Sequence, residues 1–143
     1  MSRSLLFMGL LLAIAAVSAQ DAQTFSVRLT PTPLDVEIQA RITGRGSAAA
    51  VLDGARLEVT GTFAGMLSPA TVAHLHSGPA MGIRGPVMLE LDVDHAAAGS
   101  FSGDWQLTRE QRQALLEGRV YLQIHSESVP DGNLWGWLLP AAR

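Results

Sequence analysis

Of the side chains able to do chemistry here, the four histidines stand first, and three of them lie in strand-like surroundings. His74 and His76 stand in Ala73-His74-Leu75-His76-Ser77-Gly78-Pro79, and His125 stands in Val120-Tyr121-Leu122-Gln123-Ile124-His125-Ser126. Side chains alternate across a strand, so a spacing of two puts His74 and His76 on one face, about 6.7 Å apart along the chain. Two such imidazoles can turn toward one metal ion, which needs ligand nitrogens at about 2.0–2.1 Å, and a third from another strand completes a set. Neutral imidazole suits copper or zinc. The metal reading of His74, His76 and His125 carries a distance condition, because imidazoles more than about 8 Å apart cannot share one ion. Failing that condition, the pair is two polar side chains on a solvated strand face.

Other side chains with chemical potential also have simpler roles open to them. Met81 and Met88 are close in sequence to His76 and offer thioether to cuprous copper, although methionine beside a strand more often fills core space. His95, in Val93-Asp94-His95-Ala96, falls on an expected loop, and nothing in the sequence ties Asp94 to the other histidines. Ser77 follows His76, but neighbours on a strand point to opposite faces, so the pair cannot act as nucleophile and base. The chain has no Gly-x-Ser-x-Gly elbow and no phosphate-cradling glycine loop, which disfavours an enzyme. Trp135 and Trp137 share one strand face, where they would form a platform for a sugar or peptide or, in the preferred reading, close one end of a core.

Composition narrows the setting. The chain has 143 residues, 48% hydrophobic and 16% charged, which describes one globular domain with a sizeable core. Cysteine is absent, so disulfides, zinc knuckles, thiol catalysis and a lipidated N-terminal cysteine are excluded. All ten basic residues are arginine against thirteen acids, a net charge of -3 that argues against a nucleic-acid partner.

Residues 1–19 combine Arg3, an apolar run over residues 5–17 and the small residues Val17-Ser18-Ala19, the pattern of a secretory signal peptide. The run is shorter than the ~20 residues of a spanning helix, so no membrane span is expected after cleavage. The mature domain is then residues 20–143, with nine basic residues against thirteen acidic ones once Arg3 is gone. The expected location is periplasmic or extracellular, where a fold without disulfides must rely on packing and hydrogen bonds.

Period-two alternation predicts strands over residues 24–29, 34–43, 56–63, 71–76, 87–93, 100–107, 119–126 and 133–139. Residues 44–50 read as a small-residue loop. Thr108-Arg109-Glu110-Gln111 has capping-box form and Gly118 is a plausible stop, so a short helix is expected over 108–117, lying on the surface and linking two strands. The expected fold is all-β, a single antiparallel Greek-key-like sandwich or barrel of about eight strands with one short helix. Whether the N-terminal strand pairs within its own barrel or with another chain is left open.

The ordered series Ala73-His74-Leu75-His76, Gly78-Pro79, Gly85-Pro86-Val87, Leu107-Thr108, residues 118–126 and Pro130-Asp131-Gly132-Asn133-Leu134-Trp135-Gly136 resembles the CHRD domain. That family is named for the repeats in chordin and also occurs as a stand-alone domain in exported microbial proteins. The resemblance covers roughly residues 24–139. His125-Ser126 stands where the family usually has His-Thr, and residues 132–137 stand where it usually has Gly-Glu-Ile-Arg-Gly-Gln, so the acid and arginine of the closing motif are missing. The resemblance implies an all-β domain and no settled activity. The histidine set is also similar, distantly, to that of Cu/Zn superoxide dismutase.

These readings converge on an exported CHRD-domain binding or structural module without enzymatic activity, with an unidentified exported protein as a possible partner. The first alternative is a periplasmic copper- or zinc-binding protein using His74, His76 and His125. The second is a superoxide dismutase-like enzyme.

Overall fold

In most strands one face is apolar, and in the computed structural model, which describes residues 22–31 and 36–141, that face turns inward. The strands are β1 (Gln23–Pro31), β2 (Arg45–Asp53), β3 (Arg56–Ala64), β4 (Ala70–Ser77), β5 (Val87–Val93), β6 (Gly99–Gln106), β7 (Val120–Ser126), β8 (Leu134–Trp137) and β9 (Leu139–Pro140), with the helix α1 (Arg109–Leu116) between β6 and β7. On β1, Phe25, Val27 and Leu29 are buried while the residues between them are exposed. The pattern repeats with Ala48, Ala50 and Leu52 on β2 and with Leu57, Val59 and Phe63 on β3. The expected signal peptide, residues 1–19, lies outside the described residues.

The strands pair antiparallel in the order β2-β3-β6-β5-β4-β7-β8-β1, and β1 pairs with β2 to close an eight-stranded barrel. β9 continues past the break at Leu138 and also pairs with β1. The consecutive strands β4, β5 and β6 lie side by side, with β3 next to β6, which is a Greek key. α1 then carries the chain back so that β7 lands beside β4, and this crossover places His125 near the His-x-His pair. β1 is engaged by β2 on one side and by β8 and β9 on the other, so it pairs within its own barrel.

The helix begins where expected. Gln111 N donates to Thr108 Oγ1 at 3.2 Å and Thr108 N donates to Gln111 Oε1 at 2.9 Å, a reciprocal capping box. Its outer residues are exposed, but Ala114 and Leu115 are buried in the core, so the helix also seals the barrel.

Two elements differ from expectation. Residues 34–43 form no strand in their described part: residues 36–41 are turns, Ile42 N donates to Ile38 O at 3.1 Å, and Val36 is 81% exposed. The alternation there is real, but closure of the barrel leaves β1 no vacant edge for it. Residues 44–50, expected as a loop, instead supply most of β2. Ala48 and Ala50 point inward and Ala49 outward, so small residues on both faces hide the alternation from a hydropathy reading.

Candidate functional site

On β4, Ala73 and Leu75 occupy the core, which turns His74 and His76 to the outside of the barrel. On β7, Val120, Leu122 and Ile124 point inward, leaving Tyr121, Gln123 and His125 outward. The two strands are neighbours, with His74 opposite Gln123, His76 opposite Tyr121 and His125 opposite Val72. The three imidazoles meet: one ligand nitrogen from each lies within 4.8 Å of the others. The distance condition is therefore satisfied. His74 Nδ1 and His125 Nε2 stand 3.4 Å apart, close to the ~3.3–3.4 Å edge of a tetrahedron whose ligands lie at about 2.0–2.1 Å from the ion.

Two backbone carbonyls orient the rings. A carbonyl only accepts, so the contacts of His76 Nδ1 to Gly85 O (3.1 Å) and of His125 Nδ1 to Pro130 O (2.7 Å) place the proton on Nδ1 in both residues. Their Nε2 lone pairs are then free to face the cluster. His76 Nε2 is buried and has no hydrogen-bond partner. Burial pushes the pKa of His76 below the usual histidine value, against the opposing bond to Gly85, and nearby His74, His125 and Arg84 lower it further. His125 is lowered chiefly by burial as well, with the Pro130 carbonyl opposing. Both rings are therefore neutral near pH 7, the protonation state that a metal requires.

His74 differs from the other two. Its Nε2 lies 3.8 Å from Glu90 Oε2, across the strand pair that sets His74 opposite Glu90. With the proton on Nε2 facing that carboxylate, Nδ1 turns a lone pair toward His125 Nε2, an arrangement suited to a cation between them. With the proton on Nδ1, His74 donates to His125 Nε2 instead.

Comparison with protein-family models finds the CHRD domain over residues 15–138. The chain belongs to the CHRD domain family. The match begins inside the expected signal peptide and spans every strand that carries the histidines. No match is found among curated proteins or among solved structures.

Within this CHRD domain the glycine-proline motifs acquire a physical role. Gly85 packs so tightly on Ser77 that a Cβ would lie 1.9 Å from the Ser77 carbonyl oxygen, which brings the loop over residues 78–86 down onto the outer wall. The Gly85 carbonyl accepts from both His76 and the Tyr121 hydroxyl, and Gly85 N donates back to that hydroxyl. Gly132 has φ +124, and a Cβ there would strike Gln123 Nε2 at 1.7 Å. Gln123 Nε2 donates to Asp131 O, tying down the turn whose Pro130 carbonyl orients His125. Asn133, at the position where the family usually has its acid, is buried, accepting from Ser126 Oγ and donating to Thr43 O.

The tryptophans are a correction. Trp135 and Trp137 do not close the barrel core, because Leu134 and Leu138 hold the inward positions beside them. Both indoles are half-buried on the outer wall against Tyr121, with ring centroids 5.8 and 4.9 Å from it. Tyr121 in turn stacks on His76 at 4.7 Å with the planes 7° apart. Trp105 is the tryptophan that packs against the core.

The remaining candidates fall elsewhere. His95 is exposed and contacts the Ala70 carbonyl, outside the cluster, while Asp94 is occupied by Ser100. Met88 packs against the hydrophobic core, as filler, and Met81 is exposed with its sulfur beside Gly118. His76 bonds to Gly85 and not to Ser77. Sequence reasoning missed Glu90, Arg84 and the two carbonyl oxygens. Glu90 between Leu89 and Leu91 could be read as outward on β5, but its proximity to His74 depends on a register that alternation does not contain.

Among the described residues no helix is long and apolar enough to cross a membrane.

Proposed function

We propose that this chain is an exported CHRD-domain binding module that holds one late transition-metal ion, copper or zinc, between His74, His76 and His125, without turnover of a substrate. The observation that carries the reading is the convergence of three ligand nitrogens within 4.8 Å of one another on a wall whose loops orient the rings. A buried Nε2 without a partner is costly for a side chain with no ligand to meet, and an ion satisfies it. Three imidazoles leave one position of a tetrahedral ion open. Export is supported by the signal-peptide pattern of residues 1–19.

The test is metal content and affinity of the chain from Gln20, purified without a histidine tag, by elemental analysis and then titration with cuprous, cupric and zinc ions. The expected result is one equivalent of metal, with affinity falling at least a hundredfold in His74→Ala and in His125→Ala while both variants stay folded. Wild-type protein that binds no metal above background would make the histidines framework residues and direct the search to an exported protein partner. Superoxide consumption by the loaded protein, measured on the same samples, would replace the binding role with catalysis.

A further inference from the structure

We infer that the metal enters this site together with a small anion, a carboxylate or other oxyanion, which fills the ion's open position and is held on its outer side by Arg84. This rests on the metal reading above and adds the second ligand.

The charge balance of the site argues for it. Three neutral imidazoles bring no negative charge to the ion, and no carboxylate belongs to the converging set: Glu90 is 74% exposed and stands at His74 Nε2, on the far side of that ring from His125, and Asp131 acts on His125 through its charge alone. A divalent ion held by such a set keeps most of its charge. On the same wall stands a second cation. Arg84 lies on the loop over residues 78–86, next to Gly85, whose carbonyl contacts His76. Its guanidinium carbon sits 5.2 Å from the ring centroid of Trp135, and Trp135 is opposite Gln123, two residues before His125 on β7. The guanidinium is thus held over the outer wall by an aromatic face, a contact that leaves its N–H edge free. Among the described residues it makes no hydrogen bond or ion pair with the chain.

A guanidinium beside a cation site repels the ion it neighbours and weakens it. The arrangement becomes favourable when an anion lies between the two, bound to the metal through one oxygen and to the guanidinium fork through another. The half-buried Trp135, packed against the buried Tyr121, borders this position. The proposal is a binding event, with no bond broken and no electron transferred.

The test uses the purified protein loaded with copper(II), or with cobalt(II) as the coloured stand-in for zinc. Sodium azide is titrated in as the spectroscopic anion, followed by its charge-transfer absorption and by electron paramagnetic resonance or the cobalt ligand-field bands, and acetate is then added as competitor. Wild-type protein is expected to bind one azide per metal and release it to acetate. Arg84→Gln is expected to hold the metal as tightly as wild type or more so, and to bind azide at least tenfold more weakly, with Arg84→Lys in between. Equal azide affinity in wild type and Arg84→Gln overturns the anion role, as does an Arg84→Gln variant whose metal affinity falls along with its azide affinity. Protein that takes up neither metal fails at the earlier step, which refutes the metal reading and this proposal together. Metal retained with anion binding indifferent to Arg84 refutes only the proposal.

Discussion

On β7 the inward Val120, Leu122 and Ile124 meet other aliphatic side chains, whereas the outward Tyr121 and Gln123, with half-buried His125, are covered by two loops. The inner face is nondirectional: any set of apolar chains of the right volume fills it. The outer face is built one hydrogen bond at a time, through Gly85 to Tyr121 and His76, through Asp131 to Gln123, and through Pro130 to His125. The outer faces of β2 and β3, with Ser47, Ala49, Thr60 and Thr62 open to solvent, show what a barrel wall looks like without such loops. The difference teaches that the buried polar side chains here hold two loops and two imidazole rings in place, a task separate from closing the barrel, which β2 and β3 do without such loops.

Breaking the inner face should have the largest effect on stability. Leu122→Ala removes a fully buried side chain and is expected to cost about 2–5 kcal/mol in chemical denaturation, while the folded fraction keeps its metal. A cost under about 1 kcal/mol would mean that the inner face is not where stability resides. His76→Phe probes the other face. It removes the unpartnered Nε2 together with the Nδ1 bond to Gly85 O, an oxygen that keeps the Tyr121 hydroxyl as donor, and it keeps a flat ring against Tyr121, so stability should change by less than about 1.5 kcal/mol, while metal uptake is abolished. Large destabilisation in that variant would show His76 to be framework first and ligand second.

The smallest effect is in the pH dependence, measured on chelator-treated protein by urea midpoints between pH 7.5 and 5. Because burial lowers the pKa of His76 and His125 in the fold below the ordinary histidine value of 6.5, the unfolded chain takes up protons first as pH falls. Their contribution is present above pH 6.5 and lost as pH drops through the folded values, so stability should decline on acidification. The slope should shrink in His76→Phe. A midpoint that rises toward pH 5 would contradict the neutral, buried state of these rings.

Much of this was legible in the chain. Alternation marks β1, β3 and β7, Thr108 and Gln111 announce the helix start, and a spacing of two commits His74 and His76 to one face, since each depends on residues a few positions apart. Where alternation was weak or had no partner the reading failed: the alanines of β2 hid a strand, and residues 34–43 imitated one. Trp135 and Trp137 could be paired on a face, but which face looks inward is settled by Leu134 and Leu138 meeting the core.

The tertiary structure alone decided that the α1 crossover sets β7 beside β4, which brings His125 to the pair. It also decided that the Gly85 and Pro130 carbonyls fix the ring protons, and that Glu90 and Arg84 flank the cluster. Residue type and spacing determine what a side chain offers and which face it takes, because those follow from the backbone period. Which groups meet across the barrel follows from strand register and loop closure, and these depend on the whole chain burying its core at once.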